Sequence, residues 1–377
     1  MRIEQISHGI EGDWQPRPPA LPSAHLVLIF GSGPALRQPI VEEVRKAYPR
    51  AYITGCSTAG EICGNNVFDD SVVVTAIEFE QTTCKGVAVS LRDASSSKEA
   101  GVRIAAALPD HGTLRHVLVF SDGLNVNGSE LVEGLTGALP THLTVTGGLS
   151  GDGGRFKSTA VVADGELKDR TIVAVGFYGE ALRIGYGSLG GWDTFGPARL
   201  VTRARGNVLY ELDGQSALSL YKRYLGDQAK ELPASGLLFP LSIHTDDNPM
   251  GVVRTILGVN DDEDSMTFAG DIPEGSHARL MRANFDRLID GAVGAARVST
   301  DALGSEHTEC ALLISCVGRK MVLQQRIEEE IEGVRDVVGA GAVLTGFYSY
   351  GEISPFAPTA KCTLHNQTMT ITTFSER

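Results

Sequence analysis

The sequence has no Cys-x-x-Cys pair and no histidine at zinc-binding spacing from any of its six cysteines. Cys56, Cys63, Cys84, Cys310, Cys316 and Cys362 are scattered. That excludes a disulfide framework, a structural zinc centre and the usual covalent c-type haem attachment, and predicts reduced, buried thiols. A basic cluster is also missing. With a net charge of −13, the chain offers no positive face to nucleic acid or to an anionic membrane. No apolar run approaches the roughly 18–20 residues of a membrane span, and Met1–Ile10 lacks the apolar core of a secretory signal. The expectation is a soluble, cytoplasmic protein. Three nucleotide and hydrolase signatures are absent: the phosphate loop with its lysine, the Gly-x-Ser-x-Gly elbow, and Gly-x-Gly-x-x-Gly after a strand.

What is present is length and apolar content. The chain has 377 residues, 42% of them hydrophobic, enough for two domains with well-filled cores. Its organising feature is a frame that occurs twice. Thr54-Gly-Cys-Ser-Thr-Ala-Gly-Glu-Ile62 and Thr345-Gly-Phe-Tyr-Ser-Tyr-Gly-Glu-Ile353 share Thr-Gly, four residues, then Gly-Glu-Ile. Each follows an apolar run, a glycine turn, a helical segment and a short extended run. A looser third version runs from Val117–Phe120 through Ser129–Ala138 to Thr146-Gly147-Gly148. Repeated units of strand, loop, helix and strand predict an α/β fold with mixed sheets and antiparallel hairpins. Loops leaving the carboxyl ends of such strands meet along one edge, where ligands bind. Thr54, Gly55, Glu61, Thr345, Gly346 and Glu352 are therefore candidate ligand contacts. The alternative is that the frames are turn chemistry that fixes packing.

The rest of the chain divides around these units. Pro16, Pro18, Pro19 and Pro22 surround Trp14 and mark a stiff lead-in. Ser71–Phe79 and Lys85–Leu91 are β-rich and predict an antiparallel pair. Ser158–Asp164 and Arg170–Phe177 are hairpin-like, with Asp164-Gly165 as a turn. Ala217–Leu225 reads as helix and Val252–Val259 as a strand. Ser276–Gly291 is a helix candidate from the stripe Leu280, Met281, Phe285, Leu288 and Ile289. A terminal strand is expected at Thr368–Phe374. The expected organisation is a lead-in at 1–24, a first domain at 25–217 and a second at 218–377.

Several groups could carry chemistry. His244-Thr-Asp-Asp-Asn248 concentrates an imidazole, two carboxylates and an amide, either as metal ligands or as an exposed turn. Cys56 could be a nucleophile if a base or a lowered pKa activated it. Arg319 follows a strand, where it could pin a ligand carboxylate. Glu61, Glu352 or Glu328–Glu330 could equally be its internal partners. Glycines are dense over Gly185–Gly196, a candidate moving part.

Taken together, Thr54–Ile62, Thr146–Asp152, Pro273-Glu-Gly275, Cys316–Arg319, Thr345–Ile353 and His365–Thr368 resemble the FIST family, with its FIST N and FIST C domains. The resemblance covers nearly the whole chain beyond the lead-in. It implies a cytoplasmic sensor, not an enzyme, that binds a small ligand and relays to a separate partner, such as a histidine kinase or a cyclic-di-GMP enzyme. Members of the NosP type bind haem and sense nitric oxide, which would make haem b the cofactor here. A non-covalent haem needs an apolar slot and a proximal histidine. His244, after the apolar run Leu237–Ile243, is the first candidate for the metal, and His365 the second. The alternative is a FIST sensor of an amino acid or other small metabolite, with Arg319, Glu61 and Glu352 meeting its charged ends.

Overall fold

The apolar runs become strands buried on both faces, and each is followed by a helix that leads into a parallel neighbour, as buried parallel pairs require. A computed structural model describes all residues except 11, 17–19, 110, 247, 305 and 357–359 and the side chains of 249 and 250. Pro18 and Pro19 of the lead-in and Asp247 of the polar group thus lie outside the described residues. The fold is mixed α/β, and three successive units share one plan.

The first unit comprises β1 (Arg2–Gly9), β2 (Leu26–Ser32), α1 (Gln38–Ala47), β3 (Tyr52–Thr58), the hairpin β4 (Glu61–Cys63) and β5 (Asn66–Phe68), and β6 (Ser71–Glu78). In the second come β7 (Thr83–Ser90), α2 (Ser97–Ala107), β8 (Leu114–Ser121), α3 (Gly128–Ala138) and β9 (Thr144–Leu149). Its hairpin is β10 (Val161–Ala163) and β11 (Glu166–Lys168), and β12 (Thr171–Tyr178) ends it. The third opens with β13 (Leu182–Leu189) and is then interrupted by an inserted sheet. That insert contains β14 (Asp193–Thr194), β15 (Arg199–Arg205), β16 (Val208–Leu212), β17 (Gln215–Ser216), α4 (Ala217–Leu225), β18 (Leu241–Thr245), β19 (Asn248–Arg254), β20 (Ile256–Asn260), β21 (Ser265–Phe268) and β22 (His277–Arg282). The unit resumes with α5 (Phe285–Leu303), β23 (Cys310–Cys316), α6 (Val317–Leu323), α7 (Ile327–Val338) and β24 (Val343–Ser349). Its hairpin is β25 (Gly351–Pro355) and β26 (Cys362–His365), and β27 (Met369–Glu376) closes it.

The sheets pair in a ring. Their orders are β1-β6-β2-β3-β10-β11, β7-β12-β8-β9-β25-β26 and β13-β27-β23-β24-β4-β5. Each unit therefore lends its hairpin to another: the first to the third, the second to the first, and the third to the second. Where the later units place α2 and α5 between the edge strand and the first parallel strand, the first has its proline-rich segment. Trp14 there packs beside His8 and donates to Glu43 of α1 at 3.1 Å. One buried cluster draws Leu28, Phe30, Leu118, Phe120, Leu312 and Ile314 from all three sheets.

Four expectations are corrected. Ser71–Phe79 and Lys85–Leu91 do not pair with each other, because β6 joins β1 and β2 while β7 joins β12. Asp164-Gly165 does turn a hairpin, with φ of 48° and 80°, but its second arm is β11. The run Arg170–Phe177 is instead β12, between β7 and β8. Val252–Val259 breaks at Thr255 into β19 and β20, which end up at opposite edges of the nine-stranded insert. Ser276–Gly291 is strand β22 followed by α5, because Asn284 accepts from Arg287 N and starts the helix there. The glycines of β13 serve close packing: a Cβ on Gly185 or Gly187 would lie 1.8 or 2.3 Å from a carbonyl oxygen of α5.

Candidate functional site

The Thr-Gly frames are packing devices. Gly55, Gly147 and Gly346 have φ of 152°, 154° and 158°. A Cβ on each would lie 1.8–1.9 Å from the carbonyl oxygen of Ile29, Val119 or Leu313 on the parallel neighbour. Only glycine permits that approach. The threonines face inward. Thr345 Oγ1 accepts from Thr75 at 2.8 Å, and Thr146 Oγ1 accepts from Thr372 at 2.9 Å. Thr54 Oγ1 has no partner among the described residues. The register explains this orphan, since Thr75 stands opposite Leu28 and Thr372 opposite Leu312, but Val175 stands opposite Leu118.

The loops after these strands close on one another. Ala59 N donates to Tyr348 O at 2.8 Å, Gly151 N to Ser57 O at 2.9 Å, and Tyr350 N to Leu149 O at 3.2 Å. Behind them the rings of Phe30, Phe120 and Phe347 meet with centroids 4.8–6.0 Å apart. Thr54, Gly55, Glu61, Thr345, Gly346 and Glu352 are all brought into this region, and all are buried. None of them lines a described cavity.

The two glutamates are held by hydroxyls. Glu61 accepts from Thr58 and from Ser71 at 2.6 Å, and Glu352 from Ser349 at 2.5 Å and from Thr368 Oγ1 at 2.9 Å. Burial pushes Glu61 up to about 7 and Glu352 up to about 8, against the opposing pull of these hydrogen bonds. The second unit has Asp152 in the corresponding loop, which accepts from the amides of Phe156, Lys157 and Ser158 at 2.8–3.0 Å.

Arg319 is internal. Its Nη2 lies 2.7 Å from Glu330 Oε2, with neither side chain exposed. Further donations go to Gly190 O at 3.1 Å and Leu288 O at 2.6 Å. Its partner is thus Glu330 rather than Glu61 or Glu352. Cys56 is fully buried, and burial pushes its thiol well above the usual range, the reverse of what a nucleophile needs.

The two histidines differ in what they offer a haem. His365 is buried, with Nε2 2.9 Å from Ser354 O and 3.2 Å from Thr363 Oγ1, and burial lowers it to about 4. That nitrogen is already engaged. His244 is half-buried on β18, 2.6 Å from Ser242 Oγ. It borders an open cavity of about 790 Å³ whose other walls include Asp246, Glu274, His277 and Arg279. Charged side chains of both signs line it, in contrast to the apolar slot that both faces of a haem require.

A different cleft combines the features of a small-molecule site. It measures about 230 Å³ and lies between α3 of the second unit, the hairpin strand β26, and β18 and β19 of the insert. Apolar walls come from Val132, Ile243, Val252 and Leu364, and polar groups from Ser129, Glu133, Thr245, Arg254, Asp271 and Lys361. Arg254 crosses the junction. Its Nε donates to Asp271 O at 3.1 Å, Nη1 to Leu364 O at 3.0 Å, and Nη2 to Ser129 Oγ at 3.3 Å. Burial lowers its pKa to about 10, while Asp271 pulls the other way. Sequence reasoning passed over Arg254. Its one signal is a lone charge inside an otherwise apolar β-run, Val252-Val-Arg-Thr-Ile256.

A ring of three α/β units carrying an inserted sheet, with a cleft between ring and insert, defines a two-part α/β fold. Residues 25–215 match the FIST N domain and residues 217–355 the FIST C domain, and the chain belongs to the FIST family. The boundary between those two matches falls inside the nine-stranded insert. An uncharacterized protein of Methanocaldococcus jannaschii is 23% identical over 318 residues, covering 78% of this chain and 60% of that protein. The chain thus spans about three-fifths of the length of this curated relative. Among solved structures, a cyanuric acid hydrolase from A. caulinodans matches at 11% identity over 78% of this chain and 99% of that one. Its TM-score of 0.19 carries no argument about fold or activity. No helix among the described residues is long and apolar enough to cross a membrane.

Proposed function

We propose that this FIST protein is a sensor that binds a small ligand in the cleft between ring and insert and relays occupancy to a separate signalling partner. The partner class is a histidine kinase or a cyclic-di-GMP enzyme, as the family resemblance implies. The observation that carries the reading is the cleft itself, whose walls come from both family domains and whose base is the buried Arg254. A ligand there touches α3, β26 and the insert at once. Its differential affinity for two arrangements of these elements would be the signal.

Calorimetry with a panel of small metabolites tests the reading, with Val252→Trp as the variant that fills the cleft. Binding that disappears in this variant supports the site, and binding that persists places the ligand elsewhere. A second reading, haem at His244 with nitric oxide as signal, is favoured by the partly exposed ring beside the larger cavity and opposed by that cavity's polar walls. An absorption spectrum of protein prepared with haem decides it. A stoichiometric Soret band that moves with nitric oxide and is lost in His244→Ala supports haem; no band removes it.

A further inference from the structure

The ring and insert hold their buried arginines in two different ways. Arg319 has a carboxylate at 2.7 Å. Arg254, also buried, has no carboxylate at ion-pair distance among the described residues: its hydrogen bonds go to carbonyl oxygens and to the hydroxyl of Ser129. Buried charges are ordinarily paired, because an ion removed from water loses its hydration unless something compensates. Neutral oxygens compensate in part.

The acidic groups nearby are partly engaged with other groups, although Asp271 still acts on Arg254, and Glu133 on Lys361, through space. Glu133 Oε1 is 2.6 Å from Lys98, and Asp271 Oδ1 accepts from Asn127 Nδ2 at 2.6 Å. At the rim, Lys361 makes no ion pair among the described residues. With Glu133 paired to Lys98, the cleft keeps two cations, Arg254 at the base and Lys361 at the mouth, against one carboxylate, Asp271, so its excess charge is positive. Between them stand apolar walls.

Building on the sensor reading, we infer that the ligand is a small organic carboxylate with an apolar body. Its carboxylate meets Arg254 and Lys361, and its body lies against Val252, Ile243 and Leu364. One Nη2 hydrogen of the guanidinium has no acceptor among the described residues, and release of Leu364 O by Nη1 would give a carboxylate a second donor in the same plane. The volume of about 230 Å³ suits a molecule the size of benzoate or hexanoate. Binding there would also loosen Arg254 from Leu364 O, one of the bonds that joins the insert to β26.

The experiment is calorimetry on the intact chain with benzoate, hexanoate, benzamide, benzylamine and phenylalanine. Benzoate or hexanoate should bind, with benzamide and benzylamine much weaker. Lys361→Met, at an exposed rim position, should weaken the carboxylates by roughly three- to fivefold and leave benzamide unchanged. Arg254→Lys, checked for native circular dichroism, should weaken them by about tenfold or more. Should Arg254→Lys fail to fold, the Lys361→Met comparison stands alone as the test.

Benzamide binding as tightly as benzoate overturns the carboxylate inference and leaves the cleft as a site, provided that Val252→Trp abolishes it. Phenylalanine binding far more tightly than benzoate likewise overturns it in favour of a zwitterion. Carboxylate binding indifferent to Val252→Trp, or no binding of any probe up to roughly 10 mM, overturns both the inference and the cleft.

Discussion

Arg319 and Glu330 face each other at 2.7 Å with no solvent on either side chain. Tyr348 donates to the second oxygen of Glu330 at 2.8 Å, and Arg319 reaches Leu288 O at the start of α5. The pair therefore ties β23 and α6 to α7, to β24 and to the crossing where the insert returns to the ring.

Breaking one side of this pair strands the other. Arg319→Met should cost about 3–5 kcal/mol of unfolding free energy, measured by chemical denaturation, because Glu330 is left buried and unpaired. The double variant Arg319→Met with Glu330→Leu should recover much of that loss. A double variant no more stable than the single one would show that the cost is packing rather than charge.

Two glycine substitutions should act in opposite directions. Gly346→Ala forces a Cβ onto the Leu313 carbonyl, 1.8 Å away, and should abolish soluble folding or lower the melting temperature sharply. Gly137→Ala, in α3 with nothing within 4 Å of the new methyl, should stabilise by about 0.5–1 kcal/mol. Thermal melts of the two variants beside the parent check both.

Glu61 and Glu352 give the stability a slope with pH. Their folded pKa values, about 7 and about 8, lie above the ordinary glutamate value of 4.5. The folded state therefore holds more protons than the unfolded state between those limits. Stability from these groups is fully present below about pH 4.5 and is lost as pH rises through 7 and then 8, at most on the order of 3 kcal/mol for Glu61 and about 5 kcal/mol for Glu352. Denaturation at pH 5.5, 7 and 8.5 should show the fall, and the Glu61→Gln, Glu352→Gln double variant should flatten it. An equal slope in that variant would assign it to other groups.

Thiol accessibility follows burial. Cys63 and Cys84 are half-buried, while Cys56, Cys310, Cys316 and Cys362 are buried. Timed alkylation read by mass spectrometry should label Cys63 and Cys84 first and Cys56 only on unfolding. Early labelling of Cys56 would mean that the loops around it open readily.

The repeated units were legible in the sequence because each needs an apolar strand, an amphipathic helix and a glycine at the closest strand approach. Thr54-Gly55 and Thr345-Gly346 announced that plan. Their role did not show: the same residues suit a ligand loop or a tight strand contact, and only the carbonyls of Ile29 and Leu313 distinguish the two. Strand partners were less legible still. Ser71–Phe79 and Lys85–Leu91 look like neighbours because they are adjacent in sequence, yet one is central in the first sheet and the other an edge of the second. Arg254 was invisible for a related reason, since its acceptors come from Ser129, Asp271 and Leu364, far apart in the chain.

The cyclic loan of hairpins sets an order for synthesis. When the first unit leaves the ribosome, the strand that borders β3 has not been made, because it is β10 of the second unit. The second unit waits in turn for β25, and hairpin β4–β5 stays without a neighbour until β24 is available. No unit can finish its sheet from its own residues. Emerging chains must carry open strand edges until the last third is translated, a period in which pairing between nascent copies competes with closure of the ring.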